Sequence, residues 1–206
     1  MATLAALIAR MRQDLNDEST PARWSDSQLQ RHLERAIRQY SLAAPHEMKS
    51  LLATTPGSRD LSLAGLGELV RIVAVEWPIG QWPPRFVRFS CWQSTLTLLD
   101  EVRGDGTAAA VYWLALHSSD GSTLPARDEE LVVRGAAGYA ALAWASYAIN
   151  RVTVTGEETT ERYREWGRLA LEEFAAGLDR LRRVLRSRRL LTPVDPLPAP
   201  ARELDR

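Results

Sequence analysis

Leu4, Leu7, Ile8, Met11 and Leu15 fall at i, i+3, i+4, i+7 and i+11, so the chain begins with one apolar stripe on a helix of about four turns. Residues 16–24, NDESTPARW, are rich in turn formers, and Ser25-Asp26-Ser27-Gln28 has the spacing of a capping box. Leu29, Leu33, Ala36, Ile37 and Tyr40 then line a second helix, which is expected to stop before Pro45 because proline disfavours helical geometry in the residue ahead of it. From Met48 the period changes to that of strands. KSLLATT and RDLSL, either side of the Pro56-Gly57 turn signal, read as a hairpin. LVRIVAVEW, RFVRFSCW, TLTLL and AAAVYWLAL follow as four further strands separated by Gly and Pro.

The stretch Leu124–Arg151 returns to helical spacing. Pro125 suits a first helical position, and Asp128, Glu129 and Glu130 complement the positive end of the helix dipole. Leu131, Gly135, Gly138, Leu142, Ala145 and Ile149 recur at steps of three and four, with Val132, Tyr139 and Ser146 alongside. Glycine inside a helix costs about 1 kcal/mol relative to alanine, so Gly135 and Gly138 imply close approach by another backbone and a central, crowded helix. After VTVTGEE, where Thr155 and Glu158 have the spacing of a second capping box, Tyr163, Trp166, Ala170, Phe174, Leu178, Leu181 and Leu185 sustain a long amphipathic helix. Its far end is basic, from Arg180 to Arg189. TPVDPLPAPARELDR then carries too many prolines to be helical. The pattern therefore predicts an α+β fold: a bundle of four main helices from residues 1–46 and 123–191, an inserted antiparallel β-sandwich or barrel over 47–122, and an extended Pro-rich tail over 192–206.

Composition adds mostly exclusions. With 206 residues and 45% hydrophobic content the chain can bury a sizeable core. Its 26 basic and 26 acidic residues cancel, so any affinity for a polyanion must come from a local patch. Cys91 is the only cysteine, which rules out an intrachain disulfide and is compatible with cytoplasm. The start, MATLAALIARMRQDL, reads as neither signal peptide nor membrane span. His32, His46 and His117 lie in three different elements, so no metal site is expected; no dinucleotide or Walker loop occurs, and no cofactor is expected. Cys91 with His117 has the residue types of a nucleophile and base, but a buried strand thiol is the ordinary reading. Trp77, Trp82, Trp92 and Trp113 crowd the β region, where core packing accounts for most such residues.

Two short stretches carry a family resemblance. Leu7, Met11-Arg12, Leu15-Asn16-Asp17 and Arg23-Trp24-Ser25-Asp26, followed by Leu29, Leu33 and Ala36, resemble the N-terminus of head-tail adaptor (connector or neck) proteins of tailed bacteriophages. Leu124-Pro125, Asp128 to Val133 and Gly135-Ala136 are similar to the segment opening the central helix of the same proteins, and the order of helices, β insertion, helices and tail matches their tail-tubular-adaptor layout. The chain departs from the pattern at Glu34-Arg35, where an asparagine is expected ahead of Ala36. The resemblance implies a non-enzymatic structural virion protein: a cyclic ring, usually of twelve copies, beneath the portal protein. Such a ring contacts a tail-side protein and leads DNA through its channel without sequence specificity or membrane contact. It implies a place in the virion neck, and in host cytoplasm during assembly. It also implies that the C-terminal region engages the portal, with Leu190, Leu191, Pro193, Pro196 and Pro198 as docking residues and Arg186, Arg188 and Arg189 facing portal acids or channel DNA. Two other readings stay open: a helix-turn-helix-like nucleic-acid-binding module built on the first two helices, and an enzyme or carbohydrate-binding module using the tryptophan-rich β region.

Overall fold

The computed structural model describes residues 2–99, 103–149 and 157–189, apart from the side chains of residues 148, 149, 157, 158 and 186–189. Helix α1 (Leu4–Asp14) is capped by the Thr3 hydroxyl and buries Leu7, Ile8 and Met11. It stops one residue short of the end of the stripe, with Leu15 as its C-cap, because Asn16 turns into the left-handed region at φ 51°. The turn that follows is held by charge. The Arg12 guanidinium donates to Asp17 at 2.6 Å, to the Trp24 carbonyl at 2.9 Å and to Asp26 at 2.6 Å. Asp17, only 3% exposed, also accepts the backbone N–H groups of Arg23 and Trp24. Helix α2 (Asp26–Ala43) then starts with the expected box: Ser25 Oγ accepts from Gln28 N–H, and Gln28 Oε1 accepts from Ser25 N–H. Its buried face is Leu29, Leu33, Ala36, Ile37 and Tyr40, and it ends ahead of Pro45 with Ala44 already out of helical geometry.

The β region forms six strands: β1 (His46–Ala53), β2 (Asp60–Ser62), β3 (Leu69–Glu76), β4 (Phe89–Trp92), β5 (Thr95–Leu98) and β6 (Ala108–Ala115). They make two three-stranded antiparallel sheets, ordered β1-β6-β3 and β2-β5-β4. The expected hairpin across Pro56-Gly57 does not form. β1 pairs along its whole length with β6, from His46↔Ala115 to Ala53↔Ala108, while β2 pairs with β5. The turn is present, with Gly57 at φ 79°, but it passes the chain from one sheet to the other; an eight-pair ladder outweighs the three pairs that short β2 could offer. RFVRFSCW is a strand only over Phe89–Trp92, because Phe86 bridges to Glu76 of the first sheet before the chain crosses to the second. Leu61, Leu96 and Leu98 from one sheet and Ile72, Val75, Val111 and Trp113 from the other share one apolar cluster, so the sheets close as a small sandwich.

After β6, a 3-10 turn (Ala126–Asp128) leads into α3 (Glu129–Ile149), so Pro125 stands before the turn and not at the first α-helical position. The acids at this start meet side chains as well as the dipole. Asp128 accepts the Tyr40 hydroxyl at 2.7 Å in the interior, and Glu129 accepts Ala2 N–H at 2.9 Å and Arg10 at 3.0 Å. Burial on α3 spreads past the predicted face to Val132, Val133, Ala136, Ala137, Ala140 and Ala141, because α1, α2 and α4 (Glu157–Arg189) all pack on it. At the α3–α4 crossing glycine faces glycine: a Cβ on Gly138 would stand 3.2 Å from the Gly167 carbonyl oxygen, and one on Gly167 would stand 3.1 Å from that of Gly138. Gly135 makes room for the Phe174 ring, which a Cβ would meet at 2.6 Å. Ala170, Phe174 and Leu178 are the buried stripe of α4, with Tyr163, Trp166, Leu181 and Leu185 at its margins. The Thr155–Glu158 capping box lies outside the described residues, as does the tail over 192–206.

The α1–α2 corner is also tied to the other two helices. Trp24 packs edge-on to Trp144 and Tyr163, the Arg23 guanidinium lies 4.8 Å over Trp144 and 5.0 Å over Tyr163, and the Tyr163 hydroxyl donates to Leu15 O. The fold is thus α+β: α1, α2 and α4 packed around α3, with the sandwich between α2 and α3 in the chain.

Candidate interaction surfaces

The residues singled out for docking fall at or past the limit of the described chain. Leu190, Leu191, Pro193, Pro196 and Pro198 lie outside the described residues; the backbone of Arg186, Arg188 and Arg189 completes α4, and their side chains lie outside the description. What leads up to them is described. Leu131 of α3 fills the space at Gly177, so the rest of α4 runs about 15 Å beyond the start of α3 at 1.5 Å per residue. Along this overhang Arg182 pairs with Asp179 at 2.9 Å, while Arg180 and Arg183 are exposed.

In the β-sandwich the four tryptophans divide evenly. Trp77 and Trp113 are core residues whose indole N–H groups donate to Thr107 Oγ1 and Ser50 Oγ. Trp82, in the loop before β4, is 91% exposed, and Trp92, at the β4–β5 turn, is 80% exposed. Neither has an aromatic neighbour among the described residues, so they form two separate knobs and not the stacked platform a sugar ring would use. Cys91 is exposed on the edge strand β4, against the expectation of a buried thiol. It sits at the rim because β4 has a neighbour on one side only and its outward residues face solvent.

His117 is structural. Its Nε2 lies 3.0 Å from Ala44 O, and its Nδ1 lies 3.0 Å from Thr123 O and 3.1 Å from Thr123 Oγ1. The ring stacks on His46 and is tilted against Tyr40. Burial first, with His46 adding, pulls its pKa below the ordinary 6.5, which favours a neutral ring donating from Nε2 and accepting the Thr123 hydroxyl at Nδ1. Burial, with Arg31 and Arg35 nearby, likewise lowers His32, and burial plus the bond to Asp128 raises Tyr40. With both ring nitrogens occupied, His117 is no base for Cys91. No group of three His, Cys, Asp or Glu side chains able to hold a metal ion occurs among the described residues. No described helix is long and apolar enough to cross a membrane.

A groove of about 980 Å³ lies between α2 and the sandwich. Arg31, Arg35 and Arg38 line one wall; His46, Met48 and Ser50 of β1 and Trp113 of β6 line the other. The arginines stand at i, i+4 and i+7, which puts them on one side of α2. Arg35 is fixed 4.0 Å over the Tyr139 ring, tying the position where the chain departs from the adaptor pattern to the central helix. The groove is not legible in the sequence, since β1 and β6 reach the opposite wall only through long-range pairing. The basic side of α2 is therefore one wall of a groove and not the free convex face that a recognition helix presents to DNA.

Comparison with known proteins gives structural likeness alone. No protein-family model matches the sequence, and no curated protein matches it. Among solved structures, a chain from the neck of an empty gene transfer agent particle computed with C6 symmetry aligns over 76% of this chain and 88% of its own, at 16% identity and a TM-score of 0.31. One from the neck of the native particle, computed with C12 symmetry, aligns over 80% and 92% at 16% identity and a TM-score of 0.31. A chain from the virion of the native particle aligns over 76% and 88% at 14% identity and a TM-score of 0.30.

Proposed function

We propose that this chain is a structural virion protein, a head-tail adaptor that forms a cyclic ring of about twelve copies on a portal and surrounds the DNA path to the tail. The observation that carries the reading is where the two adaptor-like stretches fall. Arg12, Asp17, Trp24 and Asp26 form the network that holds α1 against α2, and Asp128 and Glu129 join the start of α3 to Tyr40, Ala2 and Arg10, while Leu124 is buried in the bundle core. The resemblance therefore rests on the residues that fix the bundle's geometry, in an arrangement that needs no reaction centre. In this reading residues 1–46 and 123–191 are the ring-forming bundle and 47–122 an inserted module. The tail over 192–206, together with Leu190 and Leu191, reaches the portal through Pro193, Pro196 and Pro198, while Arg186, Arg188 and Arg189 face portal acids or DNA. A proline-stiffened segment loses little entropy on docking, which suits it to that task.

The test is to mix the purified protein with its portal protein and follow assembly by sedimentation and microscopy. A closed ring on the portal is expected. Deleting residues 190–206 is expected to leave the thermal melt nearly unchanged, since both apolar clusters lie within the described chain, and to abolish portal binding. Absence of any complex would overturn the adaptor reading, and undiminished binding of the truncated chain would move the docking surface to the bundle or the sandwich.

A further inference from the structure

The groove between α2 and β1 has two unlike walls. On the helix wall, Arg31, Arg35 and Arg38 are exposed, and Arg31 and Arg38 make no ion pair among the described residues. Two carboxylates share the rim without neutralising the row: Glu34, which accepts Gln30 Nε2 at 3.0 Å, and Glu68. On the sheet wall stand Met48, 37% exposed, and the edge of the Trp113 ring, which is otherwise buried in the sandwich core. A ligand that fits must carry carboxylates on one side and present an apolar group on the other. The apolar wall opposite the arginine row has no match in a sugar-phosphate backbone, which favours polypeptide over duplex DNA.

We propose that the groove receives Glu203-Leu204-Asp205 of this same chain. In an extended segment residues i and i+2 point to one side about 7 Å apart, and the residue between them points to the other. Glu203 and Asp205 so arranged match Arg31 and Arg35, which are about 6 Å apart along α2, and form charge-assisted hydrogen bonds to their guanidinium groups. Leu204 then faces Met48 and Trp113. α4 overhangs the end of the bundle where Thr123, which borders the groove, leads into α3. The fourteen residue steps from Arg189 to Glu203 cover about 43 Å when extended at 3.1 Å each. This assignment concerns the chain alone and does not depend on its binding a portal.

The test places a photo-reactive amino acid at position 204 of the full-length protein and maps its cross-links by mass spectrometry. Cross-links into residues 31–38, 46–50 or 113–123 of the same chain are expected, and links found only between two copies overturn the assignment. Arg31→Glu with Arg38→Glu, both on exposed side chains, is expected to cut the yield at least tenfold without moving the melting temperature. Cross-links elsewhere, or a yield indifferent to the charge reversal, overturn the assignment. So does binding of a duplex oligonucleotide that the double substitution abolishes in a protein showing no cross-link from position 204.

Discussion

Where α3 crosses α4 the chain sets Gly138 against Gly167 and folds Phe174 over Gly135, whereas between the two sheets it fills the space with Trp77, Trp113, Leu96 and Leu98. The helical cluster is closed by backbone coming near backbone, and its ends are fixed by buried charge. The sandwich is closed by large side chains, and its rim is loose: Gly65 and Gly67 have open space around them, and Trp82 and Trp92 stand in solvent. The difference assigns the two parts different tolerances. The bundle has little room for change, while the sandwich can vary at its loops without disturbing its core.

The largest effect expected from breaking this contrast is at Asp17. Its carboxylate takes two backbone N–H groups and Arg12 while almost wholly buried. Asp17→Ala leaves these donors unsatisfied and is expected to cost about 3 kcal/mol in denaturant unfolding. Next is the glycine seam. Gly138→Leu is expected to destabilise by about 1–3 kcal/mol through overpacking, whereas Gly65→Ala, in open space, is expected to stabilise by about 0.4–1 kcal/mol by restricting the unfolded chain. Equal midpoint shifts from the two would erase the contrast.

Helix existence and much of the buried face were legible because an apolar stripe is a local pattern: Leu7 to Met11, Leu29 to Tyr40, and Ala170 to Leu178 needed no knowledge of their partners. The close approach at Gly138 was legible for a similar reason, since glycine in a helix is costly unless space requires it. Strand pairing was not. Pro56-Gly57 signals a turn but not which strand receives the chain, and β1 takes a partner whose sequence begins more than fifty residues later. The groove was illegible for that reason: its arginines are visible at 31, 35 and 38, but its second wall exists only once β1 and β6 pair.

The smallest effect sharpens the comparison through pH. Ala2 N–H foremost, with Arg10, holds the Glu129 carboxyl below its ordinary 4.5, and the Tyr112 hydroxyl foremost does the same for Glu76 in the sandwich. A carboxyl whose folded pKa is lowered contributes stability that is full above its unfolded value and fades as pH falls through the folded one. Glu129→Gln and Glu76→Gln are each expected to flatten the fall in melting temperature below about pH 4.5. The variant with the larger flattening identifies which cluster is more sensitive to acid.

The β1–β6 ladder also bears on how the chain finds its fold. α2 and the start of α3 are separated by about 80 residues, and bringing such distant segments together costs chain entropy that grows with the logarithm of the gap. Pairing His46 with Ala115 reduces the free connection between them to about fifteen residues, which lowers that cost by about 1.5 kcal/mol. The sandwich thus acts as a clasp: once it closes, α1 and α2 meet α3 and α4 as near neighbours, and the bundle can form with the speed of a protein built from local contacts.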